Sequence, residues 1–209
     1  DITGDLIAIG TLEARKNQAF LLRVLARARD LGFVYTLTIV GNGPDESALK
    51  FLSRHLGLER QVRFAGFQPH AAQLISAHRV LAHAATMENF GIVLIEALSR
   101  GRPILAPAVG GIGEIFTDAV EGYFWPLDDI DGAAALLIEI LSDAVAYQRL
   151  ARAALNRYGS TFSSDRLVPA WLAAIFNQGI SRPAQPASGS LSSGAVKQAA
   201  AADGKEWIL

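Results

Sequence analysis

The sequence predicts an α/β fold in which a parallel sheet of about six strands lies between two layers of helices. Short apolar runs alternate along the chain with longer segments whose apolar residues recur at helical spacing. The junctions between them read as strand-to-helix turns rather than as hairpins, which is the signature of a parallel sheet. Hydrophobic residues make up 51% of the 209 positions, ample for a buried core.

Residues 6–9 form an apolar run ending at Gly10 and read as a strand buried on both faces. A polar loop follows, with Asn17 placed to cap the next helix. In that helix Phe20, Leu21, Val24, Leu25, Ala28 and Leu31 share one face, and Gly32 ends it. Residues 35–40 are the second strand, closed by Gly41-Asn42-Gly43-Pro44, where proline suits a helix's first turn. A helix through Ala48, Leu49, Leu52 and Leu56 ends at Gly57. Residues 61–65 are a third strand, 69–77 a short helix, and 80–83 a fourth strand. Next comes a helix starting near Gly91, then strands at 103–107 and 122–125 with a glycine-rich turn and short helix between them. Helices over 129–141, 144–158 and 165–176 complete the domain. From Ser181 the chain is rich in Pro, Ser, Gly and Ala, which reads as a disordered tail, so residues 1–180 are expected to form one domain and 181–209 a tail.

Composition removes several classes of function. The formal net charge is -1, with 19 basic and 20 acidic residues and no run of like charge, so nucleic-acid binding through a basic face is not supported. The absence of cysteine excludes disulfides and thiolate chemistry. No apolar run reaches the ~18 residues of a membrane span. The chain starts at Asp1 and its only methionine is Met87, so it reads as a piece of something longer.

Ligands of parallel sheets bind at the carboxyl ends of the strands. The loops at 10–16, 41–44, 66–68, 84–91 and 107–111 all belong to that edge. One of them carries Glu88, and Glu96 follows with seven residues between the two. Glu96 is the one polar side chain from Ile92 to Leu98, in a helix otherwise apolar all round and therefore expected to be buried. A carboxylate there is costly unless something satisfies it, and a vicinal diol such as a ribose would. The first N–H groups of the helix, next to Gly91, form an anion site. Glu88, before the helix, lies on the other side of such an anion and could accept from sugar hydroxyls. The layout suits a ligand with a ribose, a phosphate and a second hydroxylated group, in that order. Lys16, with Arg15, stands on the first loop of the same edge, where a cation can neutralise a diphosphate leaving group. Taken singly, Glu88 reads as a solvated loop residue, Glu96 as the partner of an internal cation, and Arg15-Lys16 as a solvated pair. The combination favours the ligand. Gly110-Gly111 reads equally as a second anion-binding turn or as a plain tight turn.

Other motifs fail. Gly41-Asn42-Gly43 follows a strand, but Glu46 stands where a dinucleotide fingerprint needs its third glycine. There is no P-loop and no nucleophile elbow. Asp129-Ile130-Asp131 is better explained as the acidic first turn of a helix than as a metal motif. His55, His70, His78 and His83 share no metal-type spacing and are expected to be structural.

The stretch Glu88-Asn89-Phe90-Gly91, then Glu96-Ala97-Leu98, Gly101, Pro103, Gly110-Gly111 and Glu114, resembles the retaining glycosyltransferases of family 4, also called group 1. Gly10, Lys16-Asn17, the 40–44 turn, residues 62–66 and Phe162-Ser163 match further landmarks in the right order, so the resemblance covers about residues 6–176. It implies the Rossmann-like, donor-binding C-terminal domain of a GT-B fold, binding a UDP- or GDP-sugar without a metal or other cofactor. It implies Glu88 and Lys16 as catalytic residues, Glu88 against the transferred sugar and Lys16 on the diphosphate. Glu96 would bind the ribose hydroxyls, and the main chain of Asn89, Phe90, Gly91, Ile92 and Val93 the sugar and phosphate. Gly10, Thr11 and Arg15 would be further substrate-binding residues, Arg15 as a second diphosphate cation, with the base near Phe67. Thr11 stands where the family often has arginine, with Arg15 as its substitute, and Ala85 stands where serine is common.

The resemblance further implies a hexosyltransferase acting on a glycan or lipid-linked acceptor. It implies a cytoplasmic enzyme that would meet the inner membrane face only through the full-length protein. The N-terminal acceptor domain of such an enzyme has no counterpart before Leu6, so the isolated chain is expected to be inactive. Two rivals stay open: a nucleotide-sugar binding module, and another enzyme class on the same fold, such as a UDP-sugar epimerase or a glycogen phosphorylase. Lys50, Lys197 and Lys205 lack the context of a phosphorylase's pyridoxal-phosphate lysine.

Overall fold

The computed structural model describes residues 2–177. Strands β1 (Gly4–Ile9), β2 (Leu37–Val40), β3 (Val62–Gly66), β4 (His78–Ala82), β5 (Ile104–Ala106) and β6 (Gly122–Phe124) form one sheet in the order β3-β2-β1-β4-β5-β6. Every pairing is parallel. The connecting helices are α1 (Gln18–Asp30), α2 (Glu46–His55), α3 (Ala71–Ile75), α4 (Ile92–Leu98) and α5 (Ile112–Ile115), with α6 (Ile130–Ser142), α7 (Ala144–Arg157) and α8 (Ser164–Asn177) after the last strand. This is a six-stranded Rossmann-like α/β architecture. The chain divides into two compact units between Val168 and Pro169, and the first contains the whole sheet. The tail expected from residue 181 lies outside the described residues. No helix among the described residues is long and apolar enough to cross a membrane.

Strand side chains alternate between two cores because successive residues point to opposite faces. Leu6 and Ala8 of β1, Leu37 and Ile39 of β2, and Val80 and Ala82 of β4 enter the core shared with α1 and α6. Ile7, Val40, Leu81 and Ile104 enter the core shared with α4 and α5. Ile7, Leu81 and Ile104 are fully buried, each worth about 1.5–3 kcal/mol of transfer free energy. In the first core Phe20 meets Trp125 edge to face at 5.2 Å.

Several expected boundaries shift. Strand β2 begins at Leu37 rather than at residue 35, since the Tyr35 carbonyl accepts from Gln61 Nε2 and its hydroxyl lies 3.0 Å from Ser142 Oγ. Strand β4 starts earlier, at His78, whose ring nitrogens lie 2.8 Å from the Leu74 carbonyl and 2.9 Å from Thr38 Oγ1. Asn17 stands at the N-cap of α1, but its side chain makes no capping bond; it adopts a left-handed conformation (φ 51°) that turns the chain from a single 3-10 turn, Ala14–Lys16, into the helix. Asp129 accepts the Gly132 N–H at 2.9 Å and so caps α6, while Asp131 pairs with Arg27 of α1.

The strand order places the topological switch between β1 and β4, whose connections leave toward opposite ends of the sheet. In sheets of this kind the crevice outside the carboxyl ends at that point receives the ligand. Here it opens between the loop after Ile9 and the loop after Ala82.

Candidate functional site

Two loops build the crevice. The loop after β1 is fastened to the turn after β2 by Leu12 N–H to Asn42 O (2.9 Å) and Asp45 N–H to Leu12 O (3.0 Å). Its 3-10 turn brings Lys16 back over the sheet edge, and Thr86 N–H reaches Arg15 O at 2.8 Å, joining it to the loop after β4. That second loop is fixed from its other side by Gly110-Gly111. Gly110 has φ 53°, and a Cβ there would stand 1.9 Å from Glu88 O, while Gly111 N–H donates to the same carbonyl at 3.1 Å. The glycine turn is therefore a seat for the Glu88 backbone. One of the amides that an anion would need is already taken.

At the centre, Lys16 Nζ donates to Glu88 Oε2 at 2.6 Å, with side chains only 14% and 13% exposed. His83, at the end of β4 and 6% exposed, brings Nε2 within 3.3 Å of the same oxygen. That contact is close in distance but is not a formed hydrogen bond, so Nε2 remains a buried nitrogen without one. Burial, and then the Lys16 ammonium, push the His83 imidazole down to about 4, so it is neutral near pH 7. For Glu88, burial works to raise the carboxyl, but the Lys16 hydrogen bond and charge, with His83, outweigh it and hold it below its ordinary value.

The other expected residues divide into three groups. Gly10, Thr11 and Phe67 line one cavity of about 260 Å³ with Ile9, Asn42 and Gln68, beside the crevice; Phe67 is 67% exposed at its rim. Gly91 caps α4 in the left-handed conformation (φ 65°), and Leu94 N–H folds back to Gly91 O at 2.9 Å, so the Ile92 and Val93 amides stand at the helix end. Asn89, Phe90 and Ile92 are exposed beside them. Arg15 does not join Lys16: its guanidinium pairs with Glu13 at 2.8 Å and is half exposed.

Glu96 departs from expectation. The helix that carries it is not buried all round, since it is only seven residues long and Ile92 in its first turn is 64% exposed. Glu96 is half-buried, and its carboxylate makes no hydrogen bond or ion pair among the described residues; Ser99 and Arg100 bind its backbone carbonyl instead. It is a free acceptor rather than a buried one. His83, expected to have a structural role, stands beside the Glu88 carboxylate. The available signal was its position, at the end of a strand and five residues before Glu88 at the ligand edge.

Fold and site together define a parallel α/β domain with a cation, a carboxylate and a neutral histidine at its switch point. The chain matches the family of glycosyl transferases group 1 over residues 4–157, and it belongs to that family. It is 35% identical over 162 residues to a glycogen synthase of Mycobacterium tuberculosis, covering 76% of this chain and 39% of the relative. It is 33% identical over 177 residues to a D-inositol 3-phosphate glycosyltransferase of Mycobacterium avium, covering 81% of this chain and 41% of the relative. The chain thus spans about two fifths of the length of these relatives. In fold it is similar to the Anabaena protein HepE, solved in complex with UDP (TM-score 0.75, 24% identity, 84% of this chain and 49% of that one). It is also similar to the C-terminal domain of the group 1 protein LpcC from Francisella tularensis (TM-score 0.69, 20% identity, 78% of this chain and 89% of that one).

Proposed function

We propose that this chain is the donor-binding part of a retaining glycosyltransferase that moves a hexose from a nucleoside diphosphate sugar to a glycan or lipid-linked acceptor. The observation that carries the reading is the Lys16–Glu88 pair at the switch point, with a cavity of base-sized dimensions beside it. The nucleobase occupies the cavity between Gly10, Thr11 and Phe67, and Glu96, an acceptor without a partner among the described residues, takes the ribose hydroxyls. Lys16 and the Ile92 and Val93 amides face the diphosphate, and Glu88 accepts from the sugar. Arg15 supplies a second cation only by leaving Glu13. The UDP bound by the structurally similar Anabaena protein makes uridine diphosphate the first nucleotide to test.

In the reaction, an acceptor hydroxyl attacks the anomeric carbon on the face from which the diphosphate leaves. A new carbon–oxygen bond forms, the bond to the β-phosphate oxygen breaks, and the acceptor's proton leaves with the diphosphate. Lys16 stabilises the charge that develops on that oxygen. Glu88 orients the sugar rather than acting alone as a base.

The reading is tested by thermal shift with UDP-glucose, UDP-N-acetylglucosamine, GDP-mannose and ADP-glucose. At a ligand concentration of about 100 Kd, binding to the folded state adds about 2.7 kcal/mol, a readable rise in Tm. Glu96→Ala is expected to abolish the rise. A full shift in that variant removes Glu96 from the ribose role.

A further inference from the structure

Lys16 gives one of its three ammonium donors to Glu88 at 2.6 Å, and a diphosphate would draw that ammonium toward the phosphates. As its hold on Glu88 weakens, a largely buried carboxylate is left short of counter-charge, a costly state. A second nitrogen already stands at the same oxygen. His83 Nε2 is 3.3 Å from Glu88 Oε2, buried, and without a formed hydrogen bond. The His83 main chain is fixed on both sides, by its N–H to Leu105 O at 2.8 Å and by Trp125 Nε1 donating to its carbonyl at 2.9 Å. The histidine, one residue past β4, is therefore anchored to the sheet, while Lys16 ends a 3-10 turn in a loop.

We infer that His83 is a positioning residue for Glu88 in the donor complex: its Nε2–H takes over Glu88 Oε2 when Lys16 moves to the diphosphate, leaving Oε1 for a sugar hydroxyl. The inference rests on the donor-binding reading above and adds to it a residue that acts through Glu88 without touching the sugar. The low proton affinity of the imidazole suits the role, since it keeps a single ring proton for donation and adds no charge that would compete with Lys16.

The test is a double-mutant cycle read by calorimetric titration of the whole chain with UDP-glucose and with GDP-mannose. In the presence of Glu88, His83→Leu is expected to weaken the sugar nucleotide that binds by about tenfold or more, the loss typical of one hydrogen bond to a charged group. In a Glu88→Gln background the same change is expected to cost less than about twofold, because no buried charge remains to be held. His83→Gln, whose amide nitrogen reaches the Nε2 position, is expected to retain most of the affinity, and His83→Asn, which stops short of it, to lose it. The Gln and Asn pair carries the comparison should the Leu variant not fold. Equal losses in both backgrounds, or no loss in either, would overturn the positioning role while leaving the donor site standing. If neither binds, the cycle is run with UDP-N-acetylglucosamine and ADP-glucose, and failure of the wild-type chain to bind any of the four would remove the donor reading and this inference together.

Discussion

Three side chains, Lys16, Glu88 and His83, meet at the centre of this crevice. Lys16 is the cation at the switch point, so Lys16→Ala should weaken UDP or GDP far more than uridine or guanosine. Equal losses for nucleotide and nucleoside, measured by titration, would argue against a phosphate role. His83 is neutral because burial and Lys16 push it down to about 4 from an ordinary 6.5. Between those values the unfolded chain binds the proton and the folded chain does not, so stability falls as pH drops from about 6.5 toward 4. The slope from this group is at most about 1.4 kcal/mol per pH unit. His78, also lowered by burial, acts with the same sign. Urea unfolding at pH 7 and pH 5 should therefore show a smaller acid loss in His83→Leu than in wild type, not its disappearance. Glu88, held low, adds stability that is lost only at still lower pH, as the solution passes through its folded value. Glu88 and Lys16 were legible in the sequence, one from its frame with Glu96 and one from its loop. Their contact was not, since they are 72 residues apart and meet only because β1 and β4 are neighbours. His83 was expected to be structural, because a histidine ending an apolar strand ordinarily is.

At the scale of elements, the site is two loops clamped to each other and to their neighbours. The alternation of apolar runs with amphipathic segments made every strand and helix of the sheet readable, and the glycines marked their ends. Local pattern could not reveal how α4 lies. Seven residues of nearly unbroken apolar character pointed to a buried helix, yet Ile92 faces outward and Glu96 is only half-buried. Nor could it decide between an anion site and a tight turn at Gly110-Gly111, because that depends on a carbonyl more than twenty residues away. Packing now assigns that turn. A Cβ at residue 110 would collide with Glu88 O at a position that also requires positive φ. Gly110→Ala should cost about 1–3 kcal/mol of stability and, by displacing Glu88, weaken sugar-nucleotide binding further. Chemical unfolding beside titration checks both. Unchanged binding in a destabilised variant would show that the loop is held without this glycine.

At the scale of the whole molecule, the strand order concentrates the functional groups at one point of the sheet edge. The adjacent cavity extends along the β1–β2 side, toward the loop after β3, so a bound nucleotide would run from Phe67 past Lys16 to Glu88. The chain's membership of the group 1 glycosyl transferases agrees with this layout. The proposal on which the others depend is that the crevice holds a nucleoside diphosphate sugar between Glu96 and Glu88. The decisive test is isothermal titration of the chain with UDP-glucose, UDP-N-acetylglucosamine, GDP-mannose and ADP-glucose, each against wild type, Glu96→Ala and Lys16→Ala. One-to-one binding of at least one of them is expected, lost in Glu96→Ala and strongly weakened in Lys16→Ala. No binding to wild type, or binding indifferent to both substitutions, would refute the proposal.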